Sequence, residues 1–472
     1  MRLSFFNFAI FLAACQLSPF DDLEKEASLV AFEPPGGVGE FGGVLTAYTG
    51  RSALNEPISR VVGSRGVGFP QVTFSVWDDD GLGRSTSVTE RCNDIGAEVP
   101  DCPEGASAAL VGLSVWRDPD ANQRRDCYLA SNVKPVRGGD ETVLGEGSLR
   151  VMCEGRREIF NVNPVGMIDL GTDLAGLAAD HPAGVALISA TRTPEGGQIY
   201  RLTSGGATPQ PIPNPIGLTL SASAALGSPL ETHAIDSFAG LSSPVVVAAG
   251  APGDSRVVLM VLGDNAGTIE LQLLGCVDGV TTRAPRDEVG GEIALGNIDG
   301  DAALEIVIGD AANDRLLIAE VPTTPGTCDT PLATTELACP AGATGTPDAS
   351  CAGSSFGFAL AIADVNVDGM ADVLVGAPTA DVGGDEDSGA LYVLPGSAGG
   401  PNSGAARVLV PSSVGPGGKL GYAVVAAETQ PETAQARFEP VASAPGENAA
   451  FVFLCTGLAG DVAVDGNFCI VQ

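Results

Sequence analysis

A β-branched run that ends in small residues returns seven times along this chain of 472 residues. It reads VVGS at 61–64, CYLAS at 127–131, VALISA at 185–190 and VVVAAGAP at 245–252, then IVIGDA at 306–311, VLVGAP at 373–378 and PVASAP at 440–445. Successive starts lie about 55–70 residues apart, the kind of fixed period that repeat architectures impose. Most copies follow a Gly-containing opener: Phe41-Gly42, Val165-Gly166, Leu226-Gly227, Gly290-Gly291, Phe356-Gly357 and Leu420-Gly421. Most precede a second apolar strand: QVTFSVW at 71–77, QIYRL at 198–202, RVVLMVL at 256–262, LLIAEV at 316–321, ALYVL at 390–394 and AFVFL at 450–454. With 63 Gly and 33 Pro, chance would supply one or two such triplets. Seven at one period, flanked by strands, call for a structural cause. Apolar residues at helical three-and-four spacing are nearly absent. The expectation is therefore an all-β fold, a seven-bladed β-propeller over residues 40–472. Sheets packed face to face around a ring keep their free edges short, so the fold tolerates this much Gly and Pro.

The best-preserved unit is FGFALAIADVNVDGMADVLVGAP at 356–378. Oxygen-bearing side chains fall on alternate residues, Asp364, Asn366 and Asp368, and then on Asp372. Calcium takes six to eight oxygens, and a tight loop can supply them with one backbone carbonyl, here that of Met370. Gly369 allows the sharp turn. This unit resembles the FG-GAP repeat of integrin α-subunit propellers, in which such a loop joins two strands of a blade. The resemblance implies a propeller of FG-GAP/integrin-α type that holds Ca²⁺.

Carrying the register to the other units finds NIDGDAALE in the fifth, with Asn297, Asp299, Asp301 and Glu305 as side-chain ligands and Ala303 at the carbonyl position. In the second it finds DPDANQRRD, with Asp118, Asp120, Asn122 and Asp126, and Arg124 at the carbonyl position. Units one, three, four and seven meet RSALNEPIS, LAADHPAGV, FAGLSSPVV and PETAQARFE, which lack the alternation. Three Ca²⁺ loops are expected. An EF-hand does not fit, because its loop runs twelve residues between helices, whereas these nine-residue loops lead into strands. Metal-free acidic turns are the competing reading. If metal binds, the expected role is structural: the cation cross-links the loop and discharges crowded carboxylates, with extracellular-type affinity of ~10⁻⁴–10⁻³ M.

Residues 1–14 have the form of a secretory signal: Arg2, then an apolar run from Leu3 too short to span a bilayer, with small residues at its end. The ending Leu12-Ala13-Ala14-Cys15 resembles a bacterial lipobox, which implies cleavage before Cys15 and lipid on its sulfur. Residues 15–39 then read as a lipidated tether. The resemblance favours the outer membrane, because Gln16 is not the Asp that commonly retains lipoproteins at the inner one. Setting Cys15 aside leaves ten of the 11 cysteines, an even number for an oxidising compartment. Proximity along the chain suggests Cys92–Cys102, Cys127–Cys153, Cys276–Cys328, Cys339–Cys351 and Cys455–Cys469, although sequence alone does not fix connectivity. Cys339–Cys351 would pin a Pro/Thr-rich insertion, 322–353, that otherwise reads as disordered. Cys455–Cys469 would tie down the C-terminal strand.

A formal charge of −34 opposes binding to nucleic acid or to an anionic membrane surface, which leaves the lipid as the only expected membrane contact. Catalytic equipment is sparse. The 2 histidines, His181 and His233, read as loop residues at the surface, and no nucleophile elbow, zinc-helix motif or phosphate loop occurs. A carboxylate dyad, as in glycosidases or lyases, stays open, because three-dimensional spacing is invisible in sequence. The favoured expectation is a non-catalytic cell-envelope module that binds a protein or glycan for adhesion or scaffolding. The alternatives are a Ca²⁺-dependent polysaccharide lyase or hydrolase, and an outer-membrane assembly factor.

Overall fold

A computed structural model describes the strands within the first 160 residues. Beyond them it describes residues 168–177, 181–203, 208–282, 291–341, 343–345, 351–428 and 438–453. They form seven sheets, antiparallel but for one outer pair in the sixth, here numbered along the chain: 41–90, 107–160, 168–211, 230–278, 293–338, 359–409 and 424–453. In sheets one to five, four strands pair in the order in which the chain makes them. Sheet six gains a fifth strand, and sheet seven takes its outer strand from Leu29–Phe32. Among the described residues the only helices are short 3₁₀ turns, and none is long and apolar enough to cross a membrane.

The seven recurring runs are the second strands of the seven sheets, among them Arg124–Val133, Glu305–Asp310 and Asp372–Ala377. The apolar segments downstream are third strands. In sheet two the third strand is Gly147–Cys153, which the sequence pattern did not mark. Every residue of Glu305–Asp310 and of Asp372–Ala377 is buried. A strand covered on both faces needs no polar alternation, which is why these segments read as continuous apolar runs. The core lies between consecutive sheets. One cluster joins Leu187 and Ile199 of sheet three to Val247 and Met260 of sheet four. Another joins Val307 of sheet five, Leu374 and Tyr392 of sheet six, and Ala442 and Phe451 of sheet seven. The first strands lie against one another in succession, from Phe41–Arg51 through to Val424–Glu428, which also touches Phe41–Arg51.

Two stretches differ from the sequence expectation. Leu29–Phe32, inside the expected tether 15–39, pairs with Ala449–Phe453 from Leu29 opposite Phe453 to Phe32 opposite Ala450. The insertion 322–353, which apart from its Cys339–Cys351 link reads as disordered, is structured over 322–341. Its first part runs along the outer strand of sheet four, where Gly326 N–H donates to Leu273 O at 2.9 Å and Leu332 N–H to Cys276 O at 2.8 Å. The Cys276–Cys328 disulfide joins the two segments. Thr335–Ala338 then completes sheet five. Thr344–Gly345 pairs in parallel with Arg407–Leu409 of sheet six, within the loop closed by Cys339–Cys351. Order here comes from edge hydrogen bonds and covalent links, which polar composition does not reveal.

Among the described residues, the expected pairs Cys276–Cys328 and Cys339–Cys351 are thus present. Cys127 and Cys153 stand opposite each other in the backbone register of sheet two. Cys15, Cys92, Cys102, Cys455 and Cys469, with the signal segment 1–14, lie outside the described residues.

Candidate metal centre

Two of the expected loops share one construction. In sheet five the first strand ends at Gly296, which pairs with Glu305, and residues 297–304 bridge them. In sheet six Ala363 pairs with Asp372, and residues 364–371 form the bridge. The ninth loop position is therefore the first residue of a buried strand. Glu305 is 7% exposed and Asp372 0%.

The side chains are organised by backbone amides. In sheet six Asp364 accepts from the N–H groups of Asp368 (3.1 Å) and Gly369 (2.8 Å). Asn366 Oδ1 accepts from Asp368 N–H at 2.9 Å, and Asp368 Oδ1 from Met370 N–H at 2.9 Å. Asp372 accepts from Val365 N–H (2.9 Å) and Gly396 N–H (3.0 Å). The Asn366 amide lies between Asp368 Oδ2 (3.0 Å) and Asp372 Oδ1 (3.3 Å). Sheet five repeats the pattern: Asn297 accepts from Gly300 N–H, Asp299 from Asp301 N–H, Asp301 from Ala303 N–H and Glu305 from Ile298 N–H, at 2.6–3.0 Å. One oxygen from each of Asp299, Asp301 and Glu305 lies within 4.8 Å of the others.

Burial dominates the electrostatics. It pushes Asp372 up to about 7, with Asp368 and Asp364 adding to the shift and the Gly396 and Val365 amides opposing it. Glu305 is likewise raised by burial and by Asp299 and Asp301. Each loop thus gathers hard oxygen donors and uncompensated negative charge, a set that fits a cation such as Ca²⁺ and not a soft metal. The loops also touch. Ala371 N–H donates to Asn297 O at 3.1 Å. A Cβ on Gly300 would stand 3.2 Å from Met370 Cγ, so the Met370 side chain lies over that glycine.

The loop at 118–126 is built differently. In sheet two the ladder runs on to Arg117 opposite Arg124, which leaves six residues, 118–123, between the strands. Arg124 and Asp126 belong to the second strand, whereas Asp118, Asp120 and Asn122 lie outside the described residues.

The histidines depart from the surface reading. His181 is 8% exposed; its Nε2 stands 2.7 Å from Ser243 O in sheet four, and its Nδ1 accepts Ala183 N–H at 3.0 Å. His233 lies in the first strand of sheet four and bonds the Leu295 backbone of sheet five. Burial lowers the pKa of both. A group missed in the sequence is Glu231 on that same strand. Burial, with Glu292 and Asp173 close by, pushes it up to about 8. No sequence signal could have found it, because the three acids come from three units far apart in the chain.

Among solved structures, the chain is similar to the NanB sialidase from Streptococcus pneumoniae at 12% identity, with a TM-score of 0.40 over 90% of this chain and 70% of that one. A second NanB structure gives 10% identity and a TM-score of 0.38, covering 90% and 69%. The GH43_1 enzyme from Xanthomonas citri gives 11% and 0.30, covering 61% of this chain and 88% of that one. At these scores the likeness carries no weight for the chemistry. No curated protein matches the sequence. The FG-GAP repeat model matches residues 356–394, which run from the Phe356-Gly357 opener through the 364–372 loop to the end of the third strand of sheet six. That segment of the chain is an FG-GAP repeat.

Proposed function

We propose that the chain is a seven-bladed, Ca²⁺-stabilised propeller of FG-GAP type that serves as a lipid-anchored binding module of the cell envelope, with a protein or glycan as its partner. The observation that carries this reading is the matched pair of loops at 297–305 and 364–372. Their acids are committed to backbone amides at the start of buried strands, where a cation would brace the scaffold. Closure into a ring is supported by the succession of first strands, which returns to its beginning, and by a last sheet made from both ends of the fold. Histidines bound to backbone groups of neighbouring sheets favour a structural over a catalytic role.

The anchor would be Cys15. Fourteen residue steps separate it from Leu29, a reach of roughly 45–50 Å at full extension. Leu29 pairs with Phe453, the end of a third strand, and so lies at the sheet end that carries the connection between first and second strands. The opposite end, with its turns between second and third strands and its sheet-to-sheet connections, then points away from the lipid and is the surface offered to a partner.

One observation favours a second reading. Glu231, held protonated at neutral pH beside Asp173 and Glu292, is the kind of perturbed carboxyl that acid–base chemistry on a polysaccharide uses. Capture from envelope extracts with the full chain, in calcium and in chelator, separates the two. A specific partner retained only with Ca²⁺ supports the binding module. Cleavage of polysaccharide with no retained partner overturns it.

A further inference from the structure

The two loops are joined through a single peptide group. The Met370 carbonyl holds the expected backbone-ligand position of the 364–372 loop, and the N–H of that same peptide, on Ala371, donates to Asn297 O at 3.1 Å. Asn297 in turn supplies the first side-chain position of the 297–305 loop. A peptide is planar, and in the trans form its C=O and N–H point to opposite sides. The bond to Asn297 therefore sets the direction of the carbonyl that would face a cation in the neighbouring loop.

The surroundings leave this peptide little freedom. Met370 lies across Gly300. Gly396 is wedged between the loops: its N–H donates to Asp372 Oδ1, and a Cβ there would stand 2.5 Å from Ala371 O, 2.6 Å from Ile298 O and 3.0 Å from Met370 Cβ. The two loops cannot order independently.

We propose that the 297–305 and 364–372 loops bind Ca²⁺ with positive cooperativity, the Met370–Ala371 peptide being the coupler; this rests on the cation reading above. A cation on the Met370 oxygen polarises the peptide and strengthens its N–H as a donor to Asn297. A cation in the 297–305 loop fixes Asn297 and so fixes the acceptor. Whichever loop fills first removes ordering cost from the other. Charge alone acts in the opposite sense. Each loop carries three carboxylates, so filling one weakens the attraction felt at the other. The sign of the coupling thus separates the two mechanisms.

The test is calcium calorimetry on the full chain in chelator-stripped buffer. The isotherm of the 364–372 loop is isolated as the part that Asp368→Ala abolishes. Silencing the other loop with Asp301→Asn should weaken Ca²⁺ binding at 364–372 by about five-fold, the scale of one net hydrogen bond. Ala371→Pro, which removes the N–H and keeps every ligand, should weaken it to a similar degree with the stoichiometry unchanged. An affinity at 364–372 that is unchanged or raised in Asp301→Asn overturns the coupling while leaving the cation reading intact. No Ca²⁺ uptake by the wild-type chain overturns both. If Ala371→Pro fails to fold, the Asp301→Asn comparison decides alone.

Discussion

His181 offers a quantitative test of how neighbouring sheets are held together. Its ring uses both nitrogens: one faces Ser243 O and the other accepts Ala183 N–H, and Ala183 is fully buried. Only the neutral ring with its proton on Nε2 can make both bonds. Protonation would turn the second nitrogen into a donor facing a donor, leaving a buried amide without an acceptor at about 1–3 kcal/mol. The sign follows from the lowered pKa. The unfolded chain takes up the proton first as the pH falls below about 6.5. The contribution of His181 is therefore full above that value, declines as the pH drops towards the lowered folded value, and is flat below it. His181→Asn isolates the effect. An Asn oxygen can still accept Ala183 N–H in an Asx turn but cannot titrate, and it gives up the contact with Ser243. Urea unfolding at pH 7.5 and pH 5.0 should find the variant about 1 kcal/mol less stable at the higher pH. Between the two pH values, the wild type should lose about 1–2 kcal/mol relative to the variant. Parallel pH profiles would refute the argument, since every other titrating group is common to both chains.

Two further outcomes are expected. Replacing both Cys276 and Cys328 by Ser opens a 52-residue loop, whose closure entropy corresponds to about 4 kcal/mol at most. The unfolding midpoint should fall accordingly, and an unchanged midpoint would mean that the disulfide between the strap and sheet four contributes nothing. Glu231 has a folded pKa of about 8 against an ordinary 4.5, so its stabilising contribution is present at acid pH and is lost as the pH rises through 8. Glu231→Gln should flatten the stability profile between pH 5 and 8, and a profile of unchanged slope would reject that assignment.

What the sequence revealed depended on burial. Second strands such as Glu305–Asp310 are covered on both faces, so their composition alone marks them. Outer strands such as Gln210–Pro211 and Thr344–Gly345 are two residues long and polar, and they exist only because an edge was there to receive them. The loops at 297–305 and 364–372 were legible because the ninth position opens the second strand in both. In sheet two the strand opens earlier, at Arg124, a difference that ladder pairing determines and residue spacing does not. The role of His181 was hidden because its partner Ser243 lies 62 residues away in the chain.

The outer strand of sheet seven has a consequence for the order of events in synthesis. Leu29–Phe32 is made well before the strand it pairs with, which ends at Phe453, about 420 residues later. At roughly 5–20 residues per second the early strand waits some 20–85 seconds for its partner. Until that partner is available the seventh sheet cannot be completed, and the waiting segment has an unpaired edge. Only four residues long, it offers little for another chain to add to. That brevity protects the nascent chain during the wait, and the last residues of the fold decide when the wait ends.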